Sequence, residues 1–238
     1  MFSASAEFYD MLYSTLKDYE GEAHTLAGVL RRVNPACTTI LDVGCGTGEF
    51  ARFLAADGFV VDGLDLDPAF VRIATAKHPA GRFAQADMVD FHLPKRYDAV
   101  TCLFSSIAYL RTLDRVTSAL KCFREHLAPG GVVVVEPWLQ PDRLDVERVV
   151  HNTVEGQGVR VTRTSRVEVE GRLSRLLFDY DITDGVATRH ATEVHELGLF
   201  TPPEMLEAFR HAGLDAEHDP IGLTDRGLYV ARAAQTGP

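Results

Sequence analysis

The glycines of Asp42-Val43-Gly44-Cys45-Gly46-Thr47-Gly48 stand where a β-branched run gives way to a helical pattern. Glycine there lets the backbone turn tightly and approach a ligand without an intervening Cβ. The spacing is G-x-G-x-G, unlike the G-x-G-x-x-G that cradles a dinucleotide pyrophosphate. Asp42, ahead of the glycines, suits a positive charge better than a diphosphate. Asp65 closes the next strand-like run, where its carboxylate can accept both hydroxyls of a ribose. Asp87 closes the run after that and can accept from an adenine amino group, with Leu66 and Met88 placed to flank the ring. The chemistry implied is recognition of a nucleoside that carries positive charge.

Such residues must be held by alternating strands and helices. Thr39-Ile40-Leu41-Asp42-Val43 reads as a strand, and the helical pattern through Phe50, Phe53 and Leu54 stops at Asp57-Gly58. Residues 59–65, 83–85, 97–103 and 132–136 read as further strands, with a helix over 115–127. Alternating βα units predict an α/β fold with a doubly wound, mostly parallel sheet. Residues 7–32 carry apolar side chains at helical spacing until Asn34-Pro35 breaks the pattern. After Trp138 the period changes to two over 159–163, 167–169 and 176–182, with hairpin signals at Glu170-Gly171 and Asp184-Gly185 and a further strand over 188–199. This predicts an inserted three-stranded antiparallel sheet. Thr201-Pro202-Pro203-Glu204 starts a helix that ends at Gly213, and two strands follow near Ala216 and over 228–231. The expected organisation is one domain over 1–238: N-terminal helices in 1–36, a cofactor-binding core over 37–140, the insertion over about 155–200, and a C-terminal helix and strands over 201–235.

The chain has 238 residues, 46% hydrophobic and 24% charged, which is the composition of a globular protein. A formal net charge of −10 disfavours nucleic acid and anionic membranes as partners, although a local basic pocket can still hold an anion. No apolar run approaches the roughly 20 residues that span a bilayer. Met1-Phe2-Ser3-Ala4-Ser5-Ala6-Glu7 lacks the basic start and apolar stretch of a signal peptide. Cys37, Cys45, Cys102 and Cys122 form no C-x-x-C pair and no metal-like spacing with histidine, so reduced thiols, a cytoplasmic location and no metal site are expected.

In Leu41-Asp-Val-Gly-Cys-Gly-Thr-Gly48, Gly63-Leu-Asp65 and Gln85-Ala-Asp-Met88 the sequence resembles the class I S-adenosylmethionine-dependent methyltransferases. Further stretches resemble a narrower group, the N,N-dimethyltransferases that act on TDP-linked 3-amino sugars in macrolide biosynthesis. They are Tyr9-Asp10-x-x-Tyr13, Lys17-Asp18-Tyr19, Phe104-Ser105-Ser106, the run from His126 through Pro129-Gly130-Gly131 to Glu136-Pro137-Trp138, and Arg226-Gly227-Leu228. The resemblance implies S-adenosyl-L-methionine as cofactor, held by Tyr19, Asp42, Gly44, Gly46, Asp65, Leu66, Asp87, Met88 and Leu103. It implies an acceptor-facing pair, Tyr13 and His126, with His126 as general base or positioning group. The phosphates of a TDP-amino sugar would be gripped by Arg226, with Arg163 and Arg175 adding to the site. The insertion would wall the pocket and pair two protomers as a homodimer. Leu177 and Asp179 stand where that group carries Glu and His. The residues alone also place His126 at a helix C-terminus, where the helix dipole favours a histidine. Alternatives at this level are an O- or N-methyltransferase for another small metabolite and a non-catalytic S-adenosylmethionine-binding protein.

Overall fold

The computed structural model describes residues 6–156 and 158–234. Residues 1–5, on which the expectation of no signal peptide rests in part, lie outside the described residues. The β-branched runs form β1 (Thr39–Val43), β2 (Val60–Asp65), β3 (Phe83–Gln85), β4 (Tyr97–Cys102) and β5 (Leu127–Val135). The insertion forms β6 (Val150–Gly156), β7 (Val159–Glu170), β8 (Leu173–Thr183) and β9 (Thr188–Gly198), and the chain ends on β10 (Leu214–Asp219) and β11 (Leu228–Ala233).

The main sheet has seven strands in the order β10-β11-β5-β4-β1-β2-β3. The first five strands of the chain are parallel, β11 runs antiparallel to β5, and β10 antiparallel to β11. Both faces are covered, which is why β1, β4 and β5 read as near-continuous apolar runs. One face packs Leu41, Val100 and Val133 against Leu120 and Phe123 of α5 (Leu113–Glu125) and Phe209 of α6 (Pro202–His211). The other packs Ile40, Val61 and Val134 against Leu26 and Leu30 of α2 (Tyr19–Val33) and Leu54 of α3 (Glu49–Ala56).

The N-terminal helical stretch is two helices. α1 (Tyr9–Tyr13) stops short, and Asp18 caps α2 by accepting the Gly21 amide at 3.0 Å. The break frees α1 to pack Leu12 against Val154, Phe178 and Tyr180 of the insertion. The inserted sheet has four strands, β6-β7-β8-β9, all antiparallel, where the sequence predicted three. β6 escaped notice because Val154 is its one buried residue, so the period-two signal is faint. The two runs at 159–163 and 167–169 are one strand, β7. Among the described residues no helix is long and apolar enough to cross a membrane.

His126, expected as the base facing the acceptor, is the C-cap of α5 and is 3% exposed. The Leu93 amide donates to its Nε2 at 2.9 Å, which leaves Nδ1 carrying the proton it shares with the Cys122 carbonyl at 2.7 Å. Its ring packs 4.4 Å from that of Phe91. With both nitrogens committed in the core, His126 has no atom to offer an acceptor. Replacing His126 by Ala orphans a buried amide and a carbonyl, and urea unfolding should show a loss of about 1–3 kcal/mol. Turnover of the folded fraction should match that of the wild type.

Candidate active site

The glycine loop leaves β1 with its backbone in the left-handed region at Gly44 (φ 75°), Gly46 (φ 55°) and Gly48 (φ 79°). The Gly44 and Cys45 amides both donate to the Leu64 carbonyl, at 2.7 and 2.9 Å. A Cβ on Gly44 would lie 2.7 Å from that of Ser106, so the loop also needs glycine for its contact with the turn after β4.

Asp65, at the end of β2, accepts the Gly46 amide on Oδ2 and the Asp67 amide on Oδ1, both at 2.8 Å. Burial raises its pKa while those amides oppose the rise. Asp42 is 2% exposed and accepts the Thr101 hydroxyl at 2.8 Å. Burial pushes its carboxyl up to about 7, and the charge of Asp65 adds to the effect. Asp87 is paired with Arg115 at 3.2 Å.

These groups open onto a cavity of about 530 Å3 between the C-terminal ends of β1, β2 and β4 and the inner face of the inserted sheet. It lies where the strand order reverses, the usual ligand position of a doubly wound sheet, and its size suits a small molecule. Of the residues marked by sequence, Tyr13, Tyr19, Asp42, Gly44, Gly46, Asp65, Leu66, Asp87, Met88, Leu103 and Arg226 line it. Burial pushes the hydroxyl of Tyr19 upward.

Arg226 lies 5.0 Å from the ring centre of Phe104 and 5.7 Å from that of Trp138. Its Nη1 is 3.8 Å from Glu136 Oε1 and is buried without a hydrogen-bond partner among the described residues. The other two arginines are elsewhere. Arg163, 6% exposed, sits behind the cavity wall, its guanidinium 5.1 Å from the Tyr13 ring and 4.8 Å from that of Phe178. Arg175 is on the opposite face of β8, between Glu168 at 3.7 Å and Glu196 at 3.8 Å. Strand alternation also keeps Leu177 and Asp179 off the wall, which is made by Leu176 and Phe178. In place of the two misassigned arginines the cavity receives Arg143, Arg148 and Arg166, together with Tyr109. Arg143 and Arg148 follow Trp138 in a stretch without periodicity, so no pattern singled them out.

Residues 40–131 match the family model described as a methyltransferase domain. A dTDP-3-amino-3,6-dideoxy-α-D-glucopyranose N,N-dimethyltransferase of Streptomyces fradiae is 40% identical over 98% of this chain and 92% of its own length. A dTDP-3-amino-3,4,6-trideoxy-α-D-glucopyranose N,N-dimethyltransferase of Streptomyces venezuelae is 37% identical over 94% and 96%. The chain belongs to the sugar N,N-dimethyltransferase family. Its fold matches the crystal structure of Streptomyces venezuelae DesVI with a TM-score of 0.91, at 36% identity over 96% of this chain and 98% of that one. The S-adenosylmethionine-bound amino pentose methyltransferase CalS10 of Micromonospora echinaspora gives 0.86 at 36% identity, over 95% and 96%.

The methyltransferase uses S-adenosylmethionine, which supplies a methyl group activated by a cationic sulfur. The donor set fits that cofactor, since Asp42, Asp65 and Asp87 line one cavity with the glycine loop and Asp65 keeps lone pairs beyond those its two amides use. A methyltransferase nucleophile among the cysteines is unsupported: all four are buried and free, and burial raises the thiol pKa of each.

Asp42 gives a pH signature. Its folded pKa of about 7 stands above the unfolded value of about 3.9, so ionisation opposes folding. Its contribution is most favourable below pH 4 and is lost as pH rises towards 7. Asp42→Asn, which keeps the oxygen that accepts from Thr101, should stabilise the protein at pH 8 by about 2–4 kcal/mol. The gain should shrink steadily between pH 7 and pH 4 in thermal melts.

Proposed function

We propose that this methyltransferase methylates the amino group of a nucleotide-linked amino sugar in natural-product biosynthesis. The observation that carries the reading is Arg226, a guanidinium on the cavity wall whose buried Nη1, 3.8 Å from Glu136, has no hydrogen-bond partner among the described residues. A guanidinium can hold two phosphate oxygens at once. Arg143, Arg148 and Arg166 line the same cavity, Arg143 paired with Asp225 at 2.8 Å and Arg166 with Asp179 at 3.1 Å, so Arg226 is the candidate phosphate ligand. The names of the S. fradiae and S. venezuelae relatives point to the same acceptor class.

In this reading Asp65 accepts the ribose hydroxyls of the cofactor, Asp87 the adenine amino group, and Leu66 and Met88 flank the base. Tyr19 and Leu103 close the cofactor end, and Asp42 stands near the cationic centre. Tyr13 orients the acceptor. The chain's main work is alignment of the amine nitrogen with the methyl group, because the leaving group is already activated. The four buried free thiols suit a cytoplasmic enzyme, and two copies would pair through the inserted sheet as a homodimer.

Asp65→Ala should weaken S-adenosylmethionine binding at least about tenfold in calorimetry, since it removes the acceptor of two hydroxyls. Arg226→Ala should raise the KM for the sugar nucleotide about tenfold to a hundredfold and leave cofactor affinity near wild type. TDP alone should compete with the acceptor. Absence of competition at millimolar TDP would contradict the sugar-nucleotide reading and favour another small metabolite.

A further inference from the structure

Tyr109 and His195 have no role in the account above. Tyr109 lies on the 3-10 turn Ser106–Leu110, whose first residue packs against Gly44, and it lines the cavity. Its hydroxyl is 3.1 Å from Nδ1 of His195 on β9. His195 is 1% exposed, and its ring is 5.1 Å from that of Phe178. Its Nε2 is 3.5 Å from Oε2 of Glu193, two residues earlier on the same face of β9. Glu193 is 6% exposed and accepts the Tyr180 hydroxyl at 3.1 Å on that same oxygen. Arg163 is buried over Phe178 and Tyr13, and Arg111 and Arg175 line a smaller pocket with Tyr109 and His195.

Nε2 of His195 faces that carboxylate at 3.5 Å, and because a carboxylate can only accept, its charge favours the proton on Nε2 and leaves Nδ1 as the acceptor. The single proton of the Tyr109 hydroxyl is then committed to Nδ1. What the Tyr109 oxygen presents to the cavity is lone pairs. We propose that His195 holds the Tyr109 oxygen as a hydrogen-bond acceptor facing the cavity, so that the site selects a methyl acceptor whose reacting atom carries an N–H.

The inference rests on the amino-group reading given under Proposed function and adds a reason for the extent of reaction. An amine that donates one N–H to Tyr109 has its lone pair directed away from that bond and free to attack. The nitrogen lone pair forms the new N–C bond, the electrons of the broken C–S bond stay on sulfur, and the surplus proton passes to water. A neutral primary amine still carries one N–H after the first transfer. It carries none after the second, so the neutral dimethylamine loses its hold on Tyr109. Tyr109 is the group that touches the acceptor, and His195 is a positioning residue that acts through it.

Two measurements test this. In protein labelled with 15N-histidine, without any acceptor, the His195 ring should show Nε2 protonated and Nδ1 unprotonated, the signal being assigned by its loss in His195→Asn. Tyr109→Phe should shift Nδ1 while leaving the tautomer in place. A proton on Nδ1 would overturn the proposal. In kinetics with dTDP-3-amino-3,6-dideoxy-α-D-glucopyranose as the probe, Tyr109→Phe and His195→Leu should each lose about tenfold to a hundredfold in kcat/KM, with cofactor Kd unchanged. His195→Asn, whose side-chain oxygen can stand in for Nδ1, should recover most of the loss. A silent Tyr109→Phe, or an Asn variant as impaired as the Leu variant, would overturn the proposal. If the wild-type enzyme does not methylate this probe, the acceptor reading fails, and the tautomer measurement decides the Tyr109–His195 arrangement by itself.

Discussion

The Asp65 carboxylate fastens the glycine loop to the start of the helix after β2. One oxygen binds the amide of Gly46 in the glycine loop and the other binds the amide of Asp67, which itself caps α4 (Pro68–Lys77) by accepting the Ala69 amide at 2.8 Å. The loop after β1 and the start of the helix after β2 are thereby held against one side chain. Removing it would free two buried amides and loosen both segments. That one carboxylate therefore links local backbone geometry to the lining of the cavity. The nearby burial of Asp42, with its raised pKa, is the energetic cost of gathering acids at one strand edge.

A second carboxylate, Glu136, joins two loops that border the cavity. Glu136 follows β5 and is fully buried, taking the Phe104 amide on Oε2 at 2.7 Å and the Thr224 hydroxyl on Oε1. Phe104 and Ser105 sit in the left-handed region (φ 48° and 65°), a conformation that side chains tolerate only where surrounding contacts hold it. Glu136 thus joins the turn after β4 to the loop that carries Arg226, whose guanidinium lies beside it. Beneath Phe104, the ammonium of Lys17 lies 4.3 Å from the ring and pairs with Glu22, and burial lowers its pKa. Charges of both signs are thus packed against one another beneath the cavity floor.

The parts of the fold that could be read in sequence are those where one segment carries the whole signal. The β1 run and its glycines, Asp65 at a strand end, and the change of period after Trp138 were all legible, because burial on both faces or on one face writes directly into residue type. Features set by partners far along the chain were not. β6 has too little buried surface to show a period. Arg175 shares a strand with wall residues but has the wrong parity, and Arg163 has the right parity but is covered by Tyr13 and Phe178. His126 occupies a helix C-cap whose other partner, the Leu93 amide, lies 33 residues away. Tyr109 and His195 gain meaning only when the inserted sheet folds back onto the turn after β4.

The central claim is that this chain places up to two methyl groups on one sugar amine. Mass spectrometry of purified enzyme with S-adenosylmethionine and dTDP-3-amino-3,6-dideoxy-α-D-glucopyranose tests it most directly. The account predicts successive products heavier by one and then two methylene units, with no third addition and with the added methyl groups retained on the amino nitrogen after hydrolysis of the nucleotide. An unchanged sugar nucleotide, or a methyl group found on a hydroxyl oxygen, would contradict it.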